Sequence, residues 1–436
     1  MKKRKSIMTA LCVTVLASVA LTACGSNSTE QLNPKDNGSS GGSKTLTFWR
    51  AGTDAPEKAY WTRVIQEFEA SHPGVKVNYS EVPFGNDMET KLNAAYASGT
   101  APDVLSYTLA SVAQRANLGQ YEPLDAYTDK WDGKGDMMES VLNTGMYKDK
   151  LYGLGFIPDP RVLLWRKDLF EAAGLDPEKP PASWEELAKD AELLTKKDGN
   201  TTVTAGLAIP TANAWTFWQS FVLQNGGKII DADKNEPLFD SPESIEATQY
   251  IVDLVKKGVT IPNDSAKSNE NLFPNGKAAI AYDSPAAYVN TQKDHPELAG
   301  KIGVSGPIER KTKATFAGMR LLFMSSQSKQ KDLAFEFMQT VMSKEETWNR
   351  YKELGTPVVL NSLKDDYIKD KPEMNQAVFD AVSYGEGAAK VTYSSKMYEI
   401  ISQHLEAAFY NTKSAEQAMK DAAAELKKEL PNLITN

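Results

Sequence analysis

Residues 152–170 read YGLGFIPDPRVLLWRKDLF. Two short apolar runs, 152–157 and 162–165, flank a Pro-Asp-Pro corner. Proline fixes its own φ and pushes the preceding residue towards extended geometry. Pro158 and Pro160 are therefore expected to hold Asp159 and Arg161 in an extended crossing segment, with the charges presented beside it. On local sequence alone the same stretch also reads as a surface connector.

Upstream of this stretch the pattern is β-α-β-α-β. LTFW at 46–49 is a strand, and Pro56 opens a helix with Trp61, Val64, Ile65 and Phe68 at i, i+3, i+4 and i+7. His72-Pro73-Gly74 stops that helix, and VKVNYSEV at 75–82 alternates as a strand does. A second helix is expected over 88–98, ended by Gly99, and a buried strand begins at Pro102-Asp103-Val104-Leu105. Such alternation predicts a mainly parallel sheet with helices on both faces. A chain of 436 residues is too long for one ordinary core and suggests two domains.

Downstream, Ser183 and Glu186 form a capping box ahead of Trp184, Leu187, Ala191 and Leu194. Residues 205–209 read as a strand and WTFWQSFVL at 215–223 as a short apolar helix. Asp231, Asp233 and Asn235 have the spacing of a calcium loop's start, but Glu236 stands at the turn position and Pro242 where the bidentate Glu belongs. A plain hairpin loop is expected instead. FPNGKAAIAYDSPAAY at 273–288 predicts a turn, a strand over 278–282 and a polar mouth at Asp283-Ser284-Pro285. TFAGMRLLFM at 315–324 reads as a second crossing followed by a buried strand, and capping pairs Ser343/Glu346 and Ser414/Gln417 open later helices.

The first 24 residues read as a leader rather than as fold. Lys2, Lys3, Arg4 and Lys5 precede an apolar run over 7–23 that is slightly short for a membrane span, and Leu21-Thr22-Ala23-Cys24 ends it. This ending resembles the bacterial lipobox, in which the cysteine is lipidated and becomes the first residue. Cys12 would leave with the leader and Cys24 would carry the lipid, so no disulfide is expected in the mature domain. Residues 25–43 are Gly-, Ser- and Asn-rich and predict a flexible tether, whose ~19 residues span roughly 25 Å as a coil. Removing residues 1–23 takes Lys+Arg from 49 to 45 against 57 Asp+Glu, and the net charge from −8 to −12. That balance argues against nucleic acid and against adsorption to anionic lipid. The expected membrane link is the acyl anchor, a palmitate-type modification.

The landmarks FW at 48–49, HPGVKV at 72–77, KLNAAYASGTAPDV at 91–104 and LGQYEPLDAY at 118–127 occur in one order. KDLFEAAGLDPEKPPASWEELAKDAELLT at 167–195 and GTPV at 355–358 continue it. Over 44–430 this series resembles the extracellular solute-binding proteins of bacterial carbohydrate ABC importers, the maltose-binding-protein-like sugar-binding lipoproteins. The resemblance implies two α/β lobes, each a mainly parallel sheet flanked by helices, joined by three crossings in the type II periplasmic-binding manner. It assigns 1–23 to a signal peptide, 24–43 to the lipidated cysteine and tether, 44–157 and 318–367 to lobe 1, and 158–317 and 368–436 to lobe 2. The implied protein is a monomer on the extracytoplasmic face of the cell membrane. It closes on a sugar by hinge motion and delivers it to the permease subunits of an ABC importer.

No HExxH, Cys/His cluster, Gly-rich phosphate loop or nucleophile elbow occurs, and only His72, His295 and His404 are present. No catalysis, metal or cofactor is expected. A surface glycosidase using a carboxylate pair stays open, because 57 acidic residues allow many pairs. A receptor for a non-sugar solute and a structural envelope lipoprotein stay open as well.

A sugar offers C–H faces that pack on flat aromatic rings, and hydroxyls that bond best to charged groups. Ligands of open α/β sheets bind at strand carboxyl ends. The candidate site is accordingly Trp49, Thr53 and Asp54; Tyr107; Asp159 and Arg161; Trp215 and Trp218; Asp283, Ser284 and Tyr288; Arg320; and Tyr398. The family pattern implies the roles of Asp283, Ser284, Tyr288, Met319, Arg320, Trp215 and Tyr398. Trp49 and Trp218 suit a core as well as a cleft, and Asp54 suits a helix N-cap.

Overall fold

The computed structural model describes residues 44–210, 214–261, 272–273 and 275–434. The leader, Cys24 and the tether lie outside the described residues. The strands of the first half are β1 (Lys44–Ala51), β2 (Val75–Val82), β3 (Val104–Thr108), β4 (Met146–Tyr147), β5 (Lys150–Leu151), β6 (Gly153–Pro160) and β7 (Val162–Arg166). They are followed by β8 (Lys196–Asp198), β9 (Thr201–Ala208), β10 (Ile230–Asp231), β11 (Glu236–Pro237) and β12 (Ala278–Asp283). The last are β13 (Ile302–Ser305), β14 (Thr315–Met324) and β15 (Gly385–Glu386).

Two main sheets result. The first runs β15-β14-β3-β1-β2, with β6 on the other edge of β14; the second runs β13-β7-β12-β9-β8. Together with their helices they form a mixed α/β fold. The expected parallel core holds in the first sheet, where β1 pairs in parallel with both β2 and β3. In the second sheet the β9–β12 pair is parallel, but β7 runs antiparallel to both β12 and β13. β7 enters directly from β6 across one residue and not through a helical crossover, so nothing forces it parallel.

Local signals account for the helices. Asp54 caps Ala55–Ser71 by accepting from the Glu57 N–H at 3.0 Å, Pro56 occupies its first turn, and Trp61, Val64, Ile65 and Phe68 are all buried. Ser183 caps Trp184–Leu194 through the Glu186 N–H at 3.2 Å, and the Glu186 carboxylate accepts from the Ala182 N–H. Ser343 and Ser414 accept from the Glu346 and Gln417 N–H groups in the same way. The Asp231–Asn235 loop joins the β10–β11 hairpin, with Asp231 accepting from Lys234. No group of three or more potential metal ligands occurs among the described residues. No helix among them is long and apolar enough to cross a membrane.

The Pro-Asp-Pro corner is not a corner. β6 continues through Pro160, with Pro160, Asp159 and Pro158 opposite Ala317, Gly318 and Met319 of β14. The reason lies in the direction of the backbone groups. The Arg161 N–H donates to the Phe316 carbonyl at 2.9 Å, so odd-numbered residues here face β14. The prolines, lacking an N–H, fall on the alternate positions that face the unpaired edge of β6, where a strand tolerates proline. Residues 355–358, expected as a third crossing, lead into a segment packed on residues 137–138: Met138 N–H donates to the Val359 carbonyl, and Met137 bridges Leu360. The chain meets β13 and β7 afterwards, through helix Pro372–Ser383.

Trp218 belongs to the core and not to a cleft. It is fully buried in helix Trp215–Gln224, and its indole N–H donates to Thr248 Oγ1 at 2.8 Å, on helix Pro242–Lys256. Trp218→Phe removes that bond and part of the ring volume, and is expected to cost about 1–3 kcal/mol of stability while leaving solute affinity unchanged. Urea unfolding together with titration calorimetry checks both halves.

Candidate functional site

β6 and β14 set the geometry. Directly opposed residues of an antiparallel pair point to one face, and residues two apart along a strand do the same. Asp159, Gly318 and Arg320 therefore share one face of this ribbon. A Cβ on Gly318 would touch Asp159 Cβ at 3.4 Å, so the aspartate lies against the glycine backbone.

On one side of this face, the Arg161 guanidinium donates to Asp159 at 3.0 Å and lies 5.5 Å from the Phe316 ring centroid. The Phe316 ring meets Trp215 edge-on at 5.0 Å, and Trp215 stacks on Tyr398 at 4.0 Å. The Tyr398 hydroxyl donates to Gln219 and accepts from the Ala389 N–H. Tyr398 is thus a buried backing for Trp215, with its hydroxyl already committed, while Trp215 is half-buried. Asp283, at the end of β12, accepts from the Ser284 N–H at 2.6 Å. Burial pushes the Asp283 carboxyl above its usual range, with Asp159 adding to the shift and Arg161 opposing it. One arginine thus faces two carboxylates. Ser284 is the residue before helix Pro285–Asp294 and makes no side-chain cap bond; Tyr288, one turn on, packs on a second apolar cluster with Val162 and Ala281.

On the other side, Arg320 donates to Glu57 and lies 5.2 Å from the Phe84 ring centroid. Glu57 also accepts from the fully buried Arg50 at 2.7 Å, and Arg50 in turn reaches Asp54 and Glu81. Asp54 is both N-cap and ion-pair partner: burial raises its carboxyl, but the Glu57 N–H and Arg50 outweigh it and hold it below the usual range. Tyr107 is buried and stacks on Phe84 at 6.4 Å. Thr53 is exposed in the turn after β1. Trp49 lies in mid-strand with Lys91 Nζ 4.1 Å from its ring centroid, and so joins the helix–sheet layer of Asn86–Ser98.

The structure therefore connects Asp159, Arg161, Asp283, Trp215, Tyr398 and Arg320 through the crossing. It leaves Trp218 in the core and gives Trp49 a separate setting. Phe84, Glu57 and Phe316 were missed. The one signal for Phe84 was its place just past the carboxyl end of an alternating strand, between Pro83 and Gly85. A cavity of about 680 Å³ is bordered by Leu109, Ser140, Asn143, Phe379, Glu386 and Lys390. None of the candidates lines it, but its wall includes Ala389, whose N–H donates to Tyr398, and Glu386, which pairs with Phe316.

Residues 63–376 match the profile of bacterial extracellular solute-binding proteins, and the chain belongs to that family. A putative binding protein of Brucella abortus (strain 2308) is 26% identical over 376 residues, covering 84% of this chain and 88% of that protein. Among solved structures, an ABC transporter solute-binding protein from Thermotoga lettingae, bound with α-D-tagatose, is 26% identical. It superposes at a TM-score of 0.77 over 88% of this chain and 99% of that one. The GacH receptor of Streptomyces glaucescens, solved unliganded and with acarbose, is 25% identical with a TM-score of 0.76, over 88% and 98% of the two chains. The family and these relatives are binding proteins.

The raised Asp283 carboxyl has a definite linkage sign. The unfolded chain ionises this group first as pH rises, so folding stability is lost between the ordinary carboxylate value and the raised folded one. Asp283→Asn removes the loss. Denaturant unfolding across mildly acidic pH is expected to show the variant gaining on the wild type as pH rises, with equal stabilities below that window as the reference.

Proposed function

We propose that this chain is a lipid-anchored extracellular receptor that captures an uncharged sugar, in particular an oligosaccharide, and delivers it to the permease of an ABC importer. The observation that carries the reading is the junction of Trp215 with Arg161, Asp159 and Asp283, where β6 passes into β7. A flat ring backed by Tyr398 suits the C–H face of a pyranose, and the neighbouring carboxylates suit its hydroxyls. The sugars named for the Thermotoga and Streptomyces relatives support this class. In this reading 44–157 and 318–367 form one lobe and 158–317 and 368–436 the other. Ligand shifts the population towards a closed form because only that form touches it from both lobes. The residues serve binding and not catalysis, and the protein acts as a monomer held at the extracytoplasmic face through Cys24.

A panel of maltotriose, mannobiose, diacetylchitobiose and α-D-tagatose is expected to contain at least one sugar that raises the melting temperature. A panel without effect would turn the reading to a non-sugar solute. Asp159→Ala should weaken binding of that sugar by about 1.5–3 kcal/mol, or roughly one to two decades in Kd. The Asp159 side chain is half exposed and the more buried Arg161 still faces Asp283 when Asp159 is removed, so the loss to the unliganded fold is expected to be smaller than the loss of affinity. Unchanged affinity with lost stability would remove Asp159 from the site.

The anchor is tested separately. Cys24→Ser is expected to abolish labelling by a fatty-acid probe in cells, and a variant that still took up the probe would overturn the lipobox assignment.

A further inference from the structure

We propose that Phe84 is a second ring-stacking platform of the binding cleft, on the side opposite Trp215, and that it selects ligands presenting a flat apolar face. The inference rests on the sugar-receptor reading above and extends it to a residue outside that constellation.

Phe84 is 49% exposed, and among the described residues it is the one phenylalanine or tryptophan open to that degree. Exposing a phenylalanine forfeits the burial that usually stabilises it, about 1.5–3 kcal/mol for a large apolar side chain. The surroundings hold the ring in place nonetheless. It follows the carboxyl end of β2, between Pro83 and Gly85, and Gly85 adopts φ +79° to turn the chain into helix Asn86–Ser98. Gly52, at φ +106°, lets the ring approach the end of β1: a Cβ there would stand 3.0 Å from Phe84 Cε2, so any larger residue would displace the ring. The Arg320 guanidinium lies over the ring at 5.2 Å, and Tyr107 stacks beside it at 6.4 Å with planes 22° apart.

Arg320 is itself fixed by Glu57, which Arg50 anchors from the buried side. The aromatic group is therefore held by its neighbours and supported by charge, and about half of its surface stays open. It stands at the carboxyl ends of β1 and β2, where open α/β sheets receive ligands. Arg320 also places it on the face of the β6–β14 ribbon that carries Asp159. A solvent-facing ring preorganised in this way loses little conformational entropy on binding, and the C–H face of a sugar ring is its natural complement. The charged groups beside it are already paired, so the platform selects by shape and not by charge.

The test uses the mature protein and whichever member of the sugar panel binds it. Phe84→Ala should raise Kd about tenfold or more, while the unliganded urea midpoint falls only slightly, by no more than the lost contacts of the half-exposed ring allow. Phe84→Tyr, which keeps the flat face, should stay close to wild type. Phe84→Leu, which keeps apolar bulk without the face, should lose nearly as much affinity as the alanine variant. Wild-type affinity in Phe84→Ala overturns the platform and leaves the sugar reading standing, and wild-type affinity in Phe84→Leu reduces the ring to apolar bulk and overturns the stacking. A wild-type protein that binds none of the sugars overturns the sugar reading, and the platform with it.

Discussion

The antiparallel pairing of β6 with β14 is the constraint on which the rest depends. Both strands pass between the two sheets, and each is read from both ends: β14 joins β3 in the first sheet, and β6 runs on into β7 of the second. Paired backbones of this kind bend as a ribbon more readily than they shear, because sliding would break the whole ladder. The face shared by Asp159, Gly318 and Arg320 accordingly lies on strands tied to both sheets. Gly318 keeps that surface low enough for the Asp159 side chain to lie across it.

Charge is organised around this face at considerable desolvation cost. Arg50 has no exposed surface, and such a guanidinium is tolerated only when carboxylates surround it, as Asp54, Glu57 and Glu81 do. Glu57 then links Arg50 to Arg320, so the buried cation orients the half-buried one on the β6–β14 ribbon. On the other side, Arg161 alone faces both Asp159 and Asp283, and burial pushes the Asp283 carboxyl up towards its neutral form. Neither side offers an unpaired cation among the described residues that connect to the crossing. A neutral polyol suits this balance better than a phosphorylated or acidic solute does.

The aromatic residues divide by what backs them. Trp218 and Trp215 lie three residues apart on one short helix, yet Trp218 bonds to Thr248 inside the core while Trp215 rests on Tyr398 with part of its surface free. Tyr398 is committed to this support, since its hydroxyl is bound to Gln219 and the Ala389 N–H. Under the proposed function, rigidity of this kind would hold Trp215 in place before a ligand arrives and lower the entropy lost on capture.

The amino-acid sequence by itself determined the elements and their order. Caps at Asp54, Ser183, Ser343 and Ser414, the periodicity of Trp61, Val64, Ile65 and Phe68, and the alternation of 75–82 are short-range signals, and each specifies its own helix or strand whatever surrounds it. The extended passage through Asp159 and Arg161 and the strand ending at Asp283 were legible for the same reason, and the family's order of landmarks suggested their roles. Only the tertiary structure decided which faces are inward. WTFWQSFVL is apolar nearly all round, so no polar stripe in it distinguishes Trp215 from Trp218. The strand direction of β7, the passage of β6 through two prolines, and the meeting of Glu57 with Arg320 from 263 residues away depend on partners distant in the chain. Phe84 illustrates the limit most directly: its place after an alternating strand was legible, but its half-exposed ring is held by Gly52, Arg320 and Tyr107, which come from segments distant in the chain.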